Sequence, residues 1–338
     1  MRLESPLRPS GVPAMPALAE ARVAVLMGGP SAEAAVSRVS AAGVAKALEG
    51  RCAQVRSFEL DRDCAPALLA WRPDVVFPAL HGPPGEDGTV QGLLALLGLP
   101  YVGSDVHASA VAMDKALAKQ VFRASGLPLA AEVLVHDDED RGEAIERIRA
   151  ALGSRVVVKP TRQGSALGVT LVDDAAGLHA ALDAALALDT TVLVEERILG
   201  REITVGVLDE RDGAGRISHR PHPVIEIATP EGTWYDYEHR YTAGESDHII
   251  PARLPETRLR DLQRIAVTAH ARLGCRDLSR ADFVVAEDRI VLLEVNTLPG
   301  MTPTSLYPDG AAALGLDFPT LIAHLVSAAL SRGPDLSL

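Results

Sequence analysis

Apolar and polar positions alternate most clearly between Arg280 and Asn296. Arg280-Ala281-Asp282-Phe283-Val284-Val285 and Ile290-Val291-Leu292-Leu293-Glu294-Val295-Asn296 are apolar, β-branched runs flanking a charged break at Glu287-Asp288, a pattern that predicts an antiparallel hairpin. A period of two puts Arg280 and Asp282 on one face of the first strand, and Glu294 and Asn296 on one face of the second. If Asp282 sits opposite Glu294, then Arg280 sits opposite Asn296 and Ala286 opposite Ile290. That register leaves Glu287-Asp288-Arg289 as a connection of common hairpin length. A slip of one residue sends the two polar pairs to opposite faces. In the first register two carboxylates and an amide oxygen converge beside a guanidinium. Hard oxygen ligands of this kind suit Mg²⁺, and Arg280 could then stabilise a transferring phosphoryl group. The alternative is a solvated sheet face carrying a paired arginine; the sharp Asn-Thr-Leu-Pro-Gly-Met turn after the second strand argues against it.

Towards the N-terminus, Arg22 to Met27 is a buried strand that breaks at Gly28-Gly29-Pro30. A helix follows, with Ser31 as its cap and Val36, Val39, Gly43, Val44 and Leu48 turned inward. Strand, glycine turn and helix indicate an α/β domain with a ligand near the turn, although the dinucleotide fingerprint G-x-G-x-x-G is absent. Glu33, in the first helical turn, is either a dipole-favoured surface acid or a partner for a substrate ammonium. A second strand, Pro73 to Leu80, runs into His81 and a glycine-rich loop, where α/β folds place ligand contacts; a hydrogen-bonded structural histidine is the other reading. A short helix (Val90 to Leu97) and a strand (Leu99 to Val102) close this domain near Gly103. A helix carrying Asp114, Lys115 and Lys119 then stops at Gly126, followed by a strand near Ala131 to His136 and a helix from Glu139 to Leu152. The strand Arg155 to Pro160 holds Lys159 and leads into Thr161 to Val169. There Gly164 and Gly168 let backbone N–H groups approach phosphate, but the lysine precedes the loop, so this is not a Walker A motif. Thr191 to Glu196 is a strand whose following linker could offer its backbone edge to an adenine, with Glu202 reaching a ribose. Gly232 to Asp247 is polar and aromatic, either an active-site lid or a loop packed on the surface. The helix Glu256 to Leu273 and a last helix, Phe318 to Leu330, complete the pattern.

Composition narrows the function. A chain of 338 residues is too long for one ordinary core. Its 47% hydrophobic and 23% charged content is that of a soluble globular protein. A net charge of −12 argues against nucleic acid as the partner. Cys52, Cys64 and Cys275 lack metal spacing and read as free thiols of a reducing cytoplasm. Residues 1–20 hold four prolines and no apolar run, and read as a disordered leader rather than a signal peptide. No stretch approaches the roughly 20 apolar residues needed to span a bilayer.

Taken together, the motifs resemble those of the D-alanine–D-alanine ligases of the ATP-grasp superfamily. They are Gly28-Gly29-Pro30-Ser31-Ala32-Glu33, His81-Gly82 through Glu86-Asp87-Gly88, Met113-Asp114-Lys115, Val158-Lys159-Pro160 and Gly164-Ser165, then Tyr235-Asp236-Tyr237 through Tyr241, and Leu293 to Thr297 through Pro299-Gly300-Met301-Thr302. The resemblance runs from Arg22 to the last helix. It implies an α/β, three-domain ATP-grasp ligase with an N-terminal α/β (pre-ATP-grasp) domain at 21–103, a central subdomain at 104–190 and a C-terminal subdomain with lid and Mg²⁺ site at 191–330.

By this resemblance Lys115, Lys159 and Arg240 would bind phosphates, and Glu195, Ile198 and Glu202 the adenosine of ATP. Asp282, Glu294 and Asn296 would hold two Mg²⁺ or Mn²⁺; a monovalent cation is a further candidate. Glu33 would take the ammonium of the first D-alanine, linked through Ser165 and Tyr241 to the closed lid. His81 and Arg280 would contact the substrate carboxylate and the developing acyl phosphate, Gly300 N–H would complete an oxyanion hole, and Ser305 and Leu306 would receive the second D-alanine. The implied reaction is ATP-dependent formation of D-alanyl-D-alanine through an acyl phosphate, for peptidoglycan precursors. The resemblance also implies a cytoplasmic homodimer with no nucleic-acid or membrane partner. Arg240 stands where many members have lysine, Ala166 where some have a second serine, and Leu298 at another variable position. Tyr241 favours D-alanine as second substrate. The other readings are a ligase with a different second substrate, such as D-serine or D-lactate, and a catalytically inactive nucleotide-binding regulator. The intact set of Arg280, Asp282, Glu294 and Asn296 argues against the last.

Overall fold

The computed structural model describes residues 16–230 and 246–336, whose strands form three sheets. In the first, β1 (Arg22–Met27) lies between β2 (Gln54–Glu59) and β3 (Val75–Pro78), all parallel. β1 is apolar throughout its centre because both faces are covered. Val23 and Val25 enter one cluster with Ala41, Val44 and Leu48 of the helix Ala34–Leu48; Ala24 and Leu26 enter another with Phe58, Leu68, Val76 and Leu94. The last helix, Phe318–Arg332, folds back onto the first cluster and buries Leu321, Ile322, Leu325 and Val326 completely.

The second sheet holds β4 (Glu132–His136), β5 (Val156–Pro160), β6 (Thr170–Val172) and β7 (Thr191–Glu196) in the antiparallel order β4-β7-β5-β6. Alternation sorts its residues. Val156, Val158, Val172, Val192 and Val194 pack with the helices Arg141–Leu152 and Leu178–Leu186. The residues between them, Val157, Lys159, Leu171 and Glu195, line a cleft on the other face.

The third sheet is antiparallel, in the order β11 (Asp247–Ile249), β10 (Ile225–Ala228), β8 (Arg201–Arg211), β12 (Leu278–Val285), β13 (Ile290–Asn296), with β9 (Ile217–Pro221) also on β8. Ile203, Val205, Ala281, Phe283, Leu292 and Val295 pack against the amphipathic helix Glu256–Leu273. Glu202, Val284 and Glu294 line the cleft that the second sheet also faces.

The hairpin β12–β13 has the register that brings the polar pairs together, Asp282 opposite Glu294 and Arg280 opposite Asn296. Its far end differs from expectation. The register shifts after Asp282, so that Phe283 faces Leu292 and Val285, not Ala286, faces Ile290. The extra residue is Leu293. Simple alternation would send Leu293 into the core beside Val295; the bulge moves Leu292 there and turns Leu293 to the cleft with Glu294.

Several other expectations need correction. Residues 106–124 form two helices, Val106–Met113 and Lys115–Ala124, because the Asp114 side chain accepts the Ala116 and Leu117 N–H groups and caps the second. Ser31 caps no helix: its hydroxyl accepts the Glu33 N–H (3.1 Å) in the turn ahead of Ala34. Val39 is 54% exposed, on the outer side of its helix. The strand expected at Leu99 to Val102 reduces to one bridge between Tyr101 and Val76. Within the expected leader, Leu18–Glu20 is a 3₁₀ turn and Leu18 packs on the first cluster; residues 1–15 lie outside the described residues. So does most of the lid candidate, including Arg240 and Tyr241, while its last residue, Asp247, opens β11. Among the described residues, no single helix is long and apolar enough to cross a membrane.

The last helix is predicted to stabilise the first sheet through its buried face. Leu325→Ala should cost about 2–5 kcal/mol in urea unfolding, whereas Leu69→Ala, at a half-exposed site, should stay within about 0.5 kcal/mol. Equal effects would contradict this packing.

Candidate active site

On the polar face of the hairpin, Arg280 forks onto Asp282, with Nε 2.8 Å from Oδ1 and Nη2 2.7 Å from Oδ2. Thr204, opposite Asp282 on β8, donates to Oδ1 as well (2.6 Å). Asn296 Oδ1 accepts the Leu298 N–H (2.8 Å), which forms the turn after the strand. Glu294 Oε2 lies 3.4 Å from Lys115 Nζ, and that ammonium also donates to the Gln163 carbonyl (2.6 Å). Lys115 reaches this point because its own N–H donates to the Thr161 carbonyl (3.0 Å), tying the helix start to the glycine-rich loop. Two carboxylates and one amide oxygen, each with lone pairs left over, form a hard oxygen set that fits Mg²⁺. No metal geometry is implied by the present contacts.

A second charged group lies under the cleft that the second and third sheets face. Glu195 is buried between Lys159 and Lys119, the latter at 2.5 Å, with Glu132 at 3.7 Å from Lys119. Burial opposes the charge on Lys159, but Glu195 outweighs it and raises the lysine pKa. Burial likewise opposes the Glu195 charge, and the two lysines overcome it and hold its carboxyl below the usual range. Removing one member of such a group strands a buried charge, at a cost of about 3–5 kcal/mol.

The third group surrounds the loop 162–169. Ser165 and Ala166 take left-handed conformations, φ +47° and +58°, which are strained for side chains other than glycine. In that conformation Ser165 Oγ donates to Glu33 Oε1. Gly164 lies beside both acids, since a Cβ on it would make ordinary contact with Glu33 Oε2 (3.4 Å) and Glu86 Oε2 (3.8 Å). Glu86 accepts the Gly82 N–H (2.9 Å). Its burial, and then the neighbouring Glu33 charge, push its pKa up to about 8. His81 Nε2 hydrogen-bonds Ser40 Oγ (3.2 Å), which accepts the Met301 N–H (3.4 Å). Burial lowers the His81 pKa; Glu33 opposes this and Arg280 adds to it. Gly300 lies against Ser305, since a Cβ there would stand 2.7 Å from Ser305 Oγ.

These groups line two clefts. One, with about 840 Å³ of empty volume, is lined by Glu33, His81, Glu86, Arg280, Glu294, Asn296, Gly300, Ser305 and Leu306, among others. The other, with about 1280 Å³, is lined by Lys159, Glu195, Ile198, Glu202 and the apolar Val157, Leu171, Val284 and Leu293, among others. Lys115, Gln163, Gly164, Ser165 and Glu294 line both, so the two clefts meet at the glycine-rich loop.

Of the candidate site residues, Arg240 and Tyr241 lie outside the described residues, Asp282 lies behind its contacts with Arg280 and Thr204, and the others line one cleft or both; Gly168 of the loop lines neither. Sequence reasoning named Glu86 and Lys119 but gave neither a role in the site. Lys119 carried a signal, because it lies one helical turn from Lys115 and shares its face. Glu86 carried none, since an acid in a glycine-rich loop reads as solvated.

Family models for the D-ala D-ala ligase C-terminus and N-terminus match residues 121–327 and 66–104. The D-alanine–D-alanine ligase of Moorella thermoacetica is 45% identical over 316 residues, 91% of this chain and 99% of that protein. That of Halalkalibacterium halodurans is 42% identical, over 92% of this chain and 100% of the relative. The crystal structure of the Bacillus anthracis D-alanine–D-alanine ligase complexed with ATP superposes with a TM-score of 0.77 at 28% identity, covering 92% of this chain and 99% of that one. The ligase of Coxiella burnetii gives 0.78 at 28% identity, covering 93% and 95%.

Glu86 makes stability depend on pH. Its folded pKa lies above the unfolded one, so the folded state binds the extra proton. The associated stability is complete below about pH 4.5 and is lost as pH rises towards 8. Glu86→Gln should therefore gain on the wild type in urea midpoint between pH 5 and pH 8. A difference independent of pH would contradict the assignment.

Proposed function

Because the chain belongs to the D-alanine–D-alanine ligase family, we propose that it uses ATP to join two D-alanines into D-alanyl-D-alanine. The observation that carries this reading is the meeting of the two clefts at Lys115, Gly164, Ser165 and Glu294. A nucleotide in the larger cleft would present its terminal phosphate to a substrate in the smaller one.

In this reading the adenine lies between Val157 and Leu171 of one sheet and Val284 and Leu293 of the other. Glu195 and the backbone at Ile198 meet its polar edge, and Glu202 meets the ribose. Lys115, Lys159 and the loop 162–169 hold the phosphates, with Arg240 as a further cation. Asp282, Glu294 and Asn296 would hold two Mg²⁺ or Mn²⁺, which when bound neutralise phosphate charge during transfer. Glu33 receives the ammonium of the first D-alanine, and Ser165 and Tyr241 connect that contact to the lid. The carboxylate of that D-alanine attacks the γ-phosphate; the bond to the β,γ-bridging oxygen breaks, leaving ADP and an acyl phosphate. Arg280 and His81 face the substrate carboxylate, and Gly300 N–H completes an oxyanion hole for the tetrahedral stage. The second D-alanine, received at Ser305 and Leu306, attacks with its free amine. Inorganic phosphate leaves, and the nitrogen gives up a proton. A closed loop keeps water from hydrolysing the acyl phosphate. The reading includes domains at 21–103, 104–190 and 191–330, a cytoplasmic homodimer and a role in peptidoglycan precursor synthesis.

With Mg-ATP and D-alanine the protein should release one phosphate per D-alanyl-D-alanine, identified by mass, and none with L-alanine. Glu294→Gln should keep the fold and lose about 10²-fold or more in kcat. Turnover only with another acceptor, or a Glu294→Gln variant of near-wild-type rate, would contradict the proposal.

A further inference from the structure

Outside both clefts, Asp209 on β8 and His219 on β9 are cross-strand partners, and His270 reaches them from the helix Glu256–Leu273. Asp209 Oδ1 lies 2.6 Å from His219 Nδ1 and 3.1 Å from His270 Nε2. One ligand atom from each residue lies within 4.8 Å of the other two. We propose that Asp209, His219 and His270 bind a divalent transition-metal ion of the zinc type, a site independent of the ligase chemistry.

The surroundings orient His270 and Asp209 as ligands. His270 is completely buried, and its Nδ1 is hydrogen-bonded to Ser279 Oγ (2.7 Å). That contact directs Nε2 towards Asp209, yet Nε2 has no aligned hydrogen-bond partner among the described residues. A cation on Nε2 would give this buried nitrogen a full partner beside the 3.1 Å contact with Asp209 Oδ1. The Asp277 N–H donates to Asp209 Oδ2 (2.9 Å) and leaves Oδ1 turned to the two imidazoles. Contacts of this kind behind a ligand fix ring orientation and raise ligand basicity.

Two imidazole nitrogens and one carboxylate oxygen favour Zn²⁺, Co²⁺ or Ni²⁺ over Mg²⁺. Ligands on a tetrahedral zinc at ~2.0–2.1 Å lie about 3.3 Å apart. The present separations of 2.6 and 3.1 Å therefore need to widen by less than an ångström. The His219 side chain, 31% exposed, can make that movement and gives the ion a route in. A bound ion would join the helix to the two strands, stabilising the sheet from its far end.

The test is a Co²⁺ titration of the chelator-stripped full chain in excess Mg²⁺, which occupies hard oxygen ligands. The proposal predicts visible absorption of tetrahedral type saturating at one equivalent per chain. It should vanish in His219→Ala, weaken about 10–100-fold in Ser279→Ala, which keeps all three ligands, and persist in Asp282→Asn. Zn²⁺ should raise the thermal midpoint of the wild type and not of His219→Ala. The proposal is overturned if the wild type shows no band, in which case the three residues share protons only. It is equally overturned if the band survives His219→Ala or disappears in Asp282→Asn.

Discussion

Asp282 faces Glu294 across β12 and β13, and Arg280 faces Asn296. β12 is held in that position along its whole length by β8 on its other side, where Asp282 meets Thr204. Because the side-chain period is two, a slip of β13 by one residue would turn Glu294 and Asn296 towards the helix Glu256–Leu273 and Val295 out of the core, and so part the two polar pairs. The apolar face thus fixes the register, and the register assembles the polar face. The bulge at Leu293 extends the same logic, keeping Leu292 in the core while supplying an apolar wall to the larger cleft.

Charge is the second constraint. The clefts are built from buried ionisable groups: Lys119, Lys159 and Glu195 under one, and Glu33, Glu86 and Arg280 around the other. Pairing holds Lys159 and Glu195 in their charged forms, whereas burial, and then the neighbouring Glu33 charge, keep Glu86 largely protonated near neutral pH. The site therefore has cations where an anionic nucleotide would lie and carboxylates where an ammonium would lie. Complementarity of that kind selects ligands by sign before any contact is refined. The strained loop at Ser165 and Ala166 connects the two environments, since Ser165 reaches Glu33 from the edge of the phosphate region.

Much of this was legible in the sequence, for definite reasons. Strict alternation exposed the hairpin and its four polar residues, and unbroken apolar runs exposed β1 and β3 as buried strands of an α/β domain. The family resemblance supplied the order of the motifs and the reaction. Other features left no trace. A single-residue bulge has no periodicity, so the turn of Leu293 away from the core was invisible. Val39 fits an inward helical stripe as well as Val44 does, and only the packing separates them. The division at Asp114 was readable in principle, because an aspartate before Lys115-Ala116-Leu117 is a capping residue. Glu86 became notable only once Glu33 was known to face it. Asp209, His219 and His270 come from two strands and a helix, and their meeting depends on a cross-strand pairing that spacing does not reveal.

Phosphate, metal and substrate carboxylate are proposed to meet where the two clefts join, and a crystal grown with ADP and Mn²⁺ would locate the metal by its anomalous signal. The diphosphate should lie between Lys115 and Lys159, with Mn²⁺ on oxygens of Asp282, Glu294 and Asn296. Mn²⁺ bound to Glu33 and Glu86 instead, or a nucleotide lying outside the larger cleft, would contradict the proposal.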